Sequence, residues 1–122
     1  MNMEGSSRRG RVKGKGAGWS PMKPKIVSWN VRGLNEINKR LRIRNMLREW
    51  KVDIVCLQET KLKTIDRRIV RSLWSGVHVD WAYLASNGAS GGVLVLWDRR
   101  VVEKIDEFIG QYMIACSFKC VR

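Results

Sequence analysis

Two residues in this chain have both the type and the setting to do chemistry. Asn30 lies in the segment Ile-Val-Ser-Trp-Asn-Val-Arg-Gly-Leu-Asn, residues 26–35, and Glu59 in Asp-Ile-Val-Cys-Leu-Gln-Glu-Thr-Lys, residues 53–61. Each stands at the close of a short apolar run. A carboxylate is a hard oxygen ligand suited to Mg²⁺, an ion that keeps several waters and takes few protein ligands. An amide can donate to a phosphate oxygen or orient the carboxylate. An Mg²⁺ held there would polarise a phosphate and stabilise a leaving oxygen. Taken singly, Asn at a strand end reads as a turn former and Glu after a strand as a solvated charge. Their joint occurrence at the ends of successive predicted strands favours the chemical reading.

The elements that must position the pair can be read from periodicity. Ile26–Val31 is a β-prone run broken by Gly33. Residues 39–50 read as a helix, with Ile43, Met46, Leu47 and Trp50 at i, i+3, i+4 and i+7 and the bases Lys39, Arg40, Arg42, Arg44 and Arg48 elsewhere. Val52–Leu57 is almost continuously apolar, as in a strand buried on both faces. Strand, crossover helix and strand make a βαβ unit, so the two strands should run parallel. In such sheets ligand sites gather at the carboxyl ends of the strands. Asn30 and Glu59 should therefore emerge at the same edge.

Further along, Thr64 can cap a second helix with Ile65, Ile69, Leu73 and Trp74 on its buried side. Val77–Ala85 and Val93–Trp97 read as strands around a Gly- and Ser-rich loop, residues 86–92. Val101–Ile109 and Tyr112–Phe118 read as two more strands joined near Gly110. The class is mixed α/β with a sheet-rich second half. Residues 1–24 have no apolar periodicity and read as a disordered basic tail, with order expected over residues 25–122.

Composition bounds the partners. Length allows one small domain. The 24 Lys and Arg against 11 Asp and Glu give a net charge of +13 in 122 residues, an excess that draws the chain to polyanions, nucleic acid first among them. The tail carries six bases and one acid, and the remainder eighteen and ten. The basic cluster Arg8, Arg9, Arg11, Lys13 and Lys15 reads either as a nuclear address or nucleic-acid arm, or as a plain solvated tail. Six Trp spread along the chain read mainly as core residues. Cys56, Cys116 and Cys120 are odd in number and lack zinc spacing, which suggests a reducing compartment, nucleus or cytoplasm. There is no secretory signal pattern and no run of the ~20 apolar residues that a membrane span needs.

The segments Ser-Trp-Asn-Val-Arg-Gly-Leu-Asn and Val-Asp-Ile-Val-Cys-Leu-Gln-Glu-Thr-Lys-Leu resemble the first two motifs of the endonuclease/exonuclease/phosphatase superfamily. Their wording most resembles the endonuclease domains of plant LINE-type retrotransposons. The intervening basic helix and the later Gly-Gly-Val-Leu-Val-Leu-Trp strand agree, so the resemblance covers about residues 25–118. It implies the N-terminal portion of a four-layer α/β sandwich, two packed mixed sheets with outer helices. It implies hydrolysis of DNA phosphodiesters with Mg²⁺, or Mn²⁺ in its place. It assigns metal binding and catalysis to Glu59, and phosphate and metal organisation to Asn30.

The resemblance also implies a later Tyr, an Asp-x-Asn pair, a distal Asp and a Ser-Asp-His ending. None of these follows in the sequence, and His78, the one histidine, sits in a strand context too early to serve. The expectation is an incomplete sandwich that is inactive alone and prone to self-association through exposed sheet surface. Two other readings stand beside it. One is a basic nucleic-acid-binding module or retrotransposon remnant without catalysis. The other is a phosphatase of small substrates, which would have little use for an extended positive face.

Overall fold

The computed structural model describes residues 23–88 and 91–121. The tail proposed over residues 1–24, with its basic cluster and Trp19, lies almost wholly outside them. In chain order the elements are β1 (Ile26–Asn30), α1 (Ile37–Glu49), β2 (Ile54–Gln58), α2 (Arg67–Leu73), β3 (Val79–Leu84), β4 (Val93–Asp98), β5 (Val102–Ile109) and β6 (Ile114–Cys120). Four strands form a mixed sheet in the order β1-β2-β4-β3, and β5 and β6 form a separate antiparallel pair. β1 and β2 are parallel, as the crossover demands, with Asn30 opposite Gln58. β4 runs antiparallel to both β2 and β3.

Side-chain alternation on the central strands sorts the core into two halves. Val55 faces Leu96 across the ladder and Leu57 faces Leu94. These four pack with Ile43 and Leu47 of α1 and Val70 and Leu73 of α2. On the opposite face, Ile54 pairs with Trp97 and Cys56 with Val95. That set packs with Val102 and Ile114 of the β5–β6 pair, and the Trp97 ring meets Phe118 edge-on at 5.0 Å. Both faces of β2 are thus covered, which is why its apolar run lacks alternation. Each fully buried Leu or Val contributes roughly 1.5–3 kcal/mol of transfer free energy. The described residues give three layers: helices, mixed sheet and β-pair. This is a part of the expected sandwich.

Helix ends carry local detail. α1 closes with the chain reversing at Lys51, whose φ is +54°. Lys51 N–H donates to the Arg48 carbonyl and Val52 N–H to the Leu47 carbonyl. This is the paired-bond C-terminal motif that glycine usually serves, here closed by the packing of Val52 and Leu47 in one core. α2 is capped by Asp66, whose carboxylate accepts from Ile69 N–H at 3.2 Å. Thr64, the expected cap, lies two residues too early. α1 buries Ile43 and Leu47 as its stripe predicts, but Trp50 at the stripe's end is 52% exposed. Among the described residues no helix is long and apolar enough to cross a membrane.

Candidate active site

The parallel pairing of β1 and β2 brings their carboxyl ends to one rim, and there Asn30 and Glu59 meet. Asn30 Nδ2 donates to Glu59 Oε2 at 2.7 Å. The other end of the same amide is also engaged: Asn30 Oδ1 accepts from Arg32 N–H at 3.2 Å. A carboxylate can only accept and a backbone N–H can only donate, so the amide's orientation is determined from both sides. The amide therefore aims the carboxylate. Both residues are exposed.

The backbone under Glu59 is held from two directions. On the β1 side, Gly33 N–H donates to the Glu59 carbonyl at 2.7 Å and Leu34 N–H to the Thr60 carbonyl at 2.9 Å. On the β4 side, Thr60 N–H donates to the Gly92 carbonyl at 3.1 Å and Lys61 N–H to the Gly91 carbonyl at 2.9 Å. Glu59 and Lys61 take φ of +57° and +58°, and Arg32 +54°. Left-handed conformations are costly for residues with a Cβ and persist where the surroundings impose them. Here two flanking backbones do so.

Gly92 was not singled out from sequence, yet the clamp depends on it. Its φ is +93°, and a Cβ there would lie 2.4 Å from Thr60 Oγ1. Thr60 is fully buried, and its hydroxyl accepts from Leu62 N–H at 3.3 Å. The Gly-Gly pair before the β4 run was the only available sequence signal. Its meaning rests on β4 lying beside β2.

Around the pair, Arg32 and Lys61 are exposed cations within two residues of Asn30 and Glu59. Lys39 Nζ donates to the Arg32 carbonyl at 3.2 Å. Next to Glu59 a groove of about 460 Å³ runs to the turn between β5 and β6, with Tyr112 and Met113 on its wall. Gln58 Nε2 donates to Ser28 Oγ at 2.7 Å, steadying the residue before the carboxylate. His78 stands at the opposite end of the sheet, where its carbonyl accepts from Arg99 N–H; it takes no part in the rim. Burial pushes the Cys56 thiol above its ordinary value, as expected of a packed, inert side chain.

The residues present suit a divalent ion in one respect. Glu59 is an exposed, pre-aimed carboxylate, and one hydrogen bond leaves it ample capacity to coordinate. Among the described residues no three His, Cys, Asp or Glu side chains cluster to form a metal cage. Mg²⁺ needs none, because one or two carboxylates with waters and substrate phosphate suffice.

Known proteins share this chain's sequence pattern and its fold. The Endonuclease/Exonuclease/phosphatase family pattern matches residues 27–117. An exodeoxyribonuclease of Bacillus subtilis (strain 168) is 37% identical over 67 residues, which make up 55% of this chain and 25% of that protein. The chain thus spans about a quarter of the length of that relative. Among solved structures, the 3′ phosphatase NExo from Neisseria, bound to a product DNA hairpin, superposes with a TM-score of 0.55 at 22% identity, over 71% of this chain and 31% of that one. TDP2 of D. rerio, complexed with single-strand DNA product, gives 0.54 at 21% identity, over 80% and 41%. These likenesses establish the fold. With three quarters of the chain matched to one family, and with that fold beneath it, the protein is a member of the Endonuclease/Exonuclease/phosphatase family.

Proposed function

We propose that this chain supplies the metal-binding part of a Mg²⁺-dependent phosphodiesterase acting on DNA, and that these 122 residues alone do not turn over. The observation that carries the reading is the 2.7 Å hydrogen bond from Asn30 to Glu59 at the rim of a parallel strand pair. In this reading Glu59 is the ion's protein ligand, and Mn²⁺ can replace Mg²⁺. Asn30 fixes the carboxylate's direction and is a positioning residue. The bound ion supplies charge stabilisation at the phosphate and the leaving oxygen. Arg32 and Lys61 draw the DNA backbone to the rim. Hydrolysis needs a group that activates water, and among the described residues no three His, Cys, Asp or Glu side chains gather to supply a full acid–base and metal set. The finer resemblance to LINE-type endonuclease domains makes nicking of one DNA strand the reaction inferred for a complete enzyme.

The test has two arms. In an NMR titration, Mn²⁺ should broaden the Asn30 side-chain amide signal in the wild type and not in Glu59→Gln. Supercoiled plasmid with Mg²⁺ should remain intact with either protein. Broadening that ignores the substitution removes Glu59 from the ion. Nicking by the wild type that vanishes in Glu59→Gln would show that the chain is active as it stands.

A second reading, a basic module that binds nucleic acid without a metal, draws on the net charge of +13. The structure narrows its footing on α1, since Arg40 is committed to the fold by hydrogen bonds to Ser72 Oγ and the Leu34 carbonyl.

A further inference from the structure

We propose that the groove beside Glu59 is a binding site for one unpaired nucleobase of the strand whose phosphate lies at the rim. The inference rests on the DNA reading above and narrows its substrate to single-stranded or locally opened DNA.

Three observations converge on that ligand. The first is composition. The groove's lining residues include Gln58, Asn87 and Gln111, whose side chains end in carboxamides. Each carboxamide offers both an acceptor and donors, the pattern needed to meet the edge of a base. Gln58 has its nitrogen committed to Ser28, which leaves its oxygen as an acceptor. Val93 and Ile114 add apolar surface, suited to the flat face of a ring.

The second is the aromatic at its mouth. Tyr112 is 79% exposed and neighbouring Met113 52%, both at the turn between β5 and β6. A tyrosine ring left so open buries little of its own apolar surface in the fold. A base that stacks on it gains roughly 1–3 kcal/mol, whichever base it is. The polarisable, flexible Met113 can adapt to rings of different size.

The third is position and size. Glu59 itself lines the groove, so a base held there belongs to a nucleotide adjoining the phosphate at the carboxylate. The volume, about 460 Å³, lies within the usual range for small-ligand sites of roughly 300–1,000 Å³. Arg32 and Lys61 near the carboxylate complement the strand's phosphates. In an intact duplex both faces of each base are covered by neighbours and cannot meet the tyrosine. A base that is already unpaired enters without that unstacking cost.

The experiment measures fluorescence anisotropy of the wild-type chain with a labelled single-stranded oligonucleotide and with a duplex of equal length, at several salt concentrations. The single strand should bind more tightly than the duplex. Tyr112→Ala should weaken single-strand binding about tenfold and leave duplex binding unchanged. Tyr112→Phe, which keeps the ring, should retain the preference. Since Tyr112 is exposed, thermal melting of both variants should match the wild type. Equal affinity for the two DNAs, or equal losses on both in Tyr112→Ala, would overturn the nucleobase site while leaving the DNA reading intact. Binding of neither DNA, at any salt concentration, would overturn both.

Discussion

At the scale of residues, the decisive contact is between an amide and a carboxylate 29 positions apart in sequence. Sequence patterning reaches that contact because each partner closes an apolar run, and parallel strands deliver their ends to one rim. It does not reach Gly92. The demand for glycine there comes from Thr60 Oγ1, which is placed by a loop 32 positions earlier and by an antiparallel neighbour that no local pattern reveals. Gly92→Ala combines a left-handed backbone with overpacking against that hydroxyl. It should destabilise the fold by about 3 kcal/mol, read as a lower urea midpoint at unchanged slope. Thr60→Ala in the same chain removes the atom that is struck. The double variant should therefore lose less than the sum of the singles, and strict additivity would show that the clash is not the cause.

At the scale of elements, strand identities and the parallel pairing of β1 with β2 were legible, because period-2 and continuous apolar runs report burial directly. Helix termini were less so. Thr64 and Asp66 both precede the first helical residue of α2, Arg67, and the Asp66 carboxylate accepts from the N–H three residues on, at Ile69. The basic residues of α1 look alike in sequence but differ in the fold. Arg40 Nε donates to Ser72 Oγ at 2.8 Å, and Nη1 to the Leu34 and Asn35 carbonyls at 2.6 and 3.1 Å. It therefore ties α1 to α2 and to the loop after β1, while Arg42 is exposed. Arg40→Ala should cost about 2 kcal/mol of stability and leave the salt dependence of DNA binding untouched. Arg42→Ala should do the reverse if α1 contacts phosphates, lowering the slope of log affinity against log salt by about 0.9. A change of slope in the Arg40 variant without loss of stability would contradict its assignment as a tie.

At the scale of the whole molecule, β1 and β3 each have one ladder partner and form the two edges of the mixed sheet. Ile105, at an irregularity in the β5–β6 register, is 59% exposed, and Phe108 is 58% exposed. Open edges and exposed apolar side chains invite pairing between copies. In sedimentation velocity the average coefficient should therefore rise with protein concentration, and Ile105→Lys should reduce that rise. A coefficient independent of concentration would mean that these surfaces do not associate. The sandwich expected from sequence is represented among the described residues by three layers. Helices outside a second sheet were expected through family resemblance alone, and the described residues contain none there.

The strand order has a temporal consequence as well. Within its sheet β4 is the last strand in the chain, yet it lies between β2 and β3. As the polypeptide leaves the ribosome, β3 has no neighbour to join, and the carboxylate loop has nothing to hold its amide groups. Both wait for Gly91 through Asp98 to emerge. Glu59 and the Asn30 amide that bonds it can therefore be synthesised early and paired as strands, but they become a fixed constellation only in one late insertion event. A nascent chain arrested before that event would present both residues and still lack the geometry.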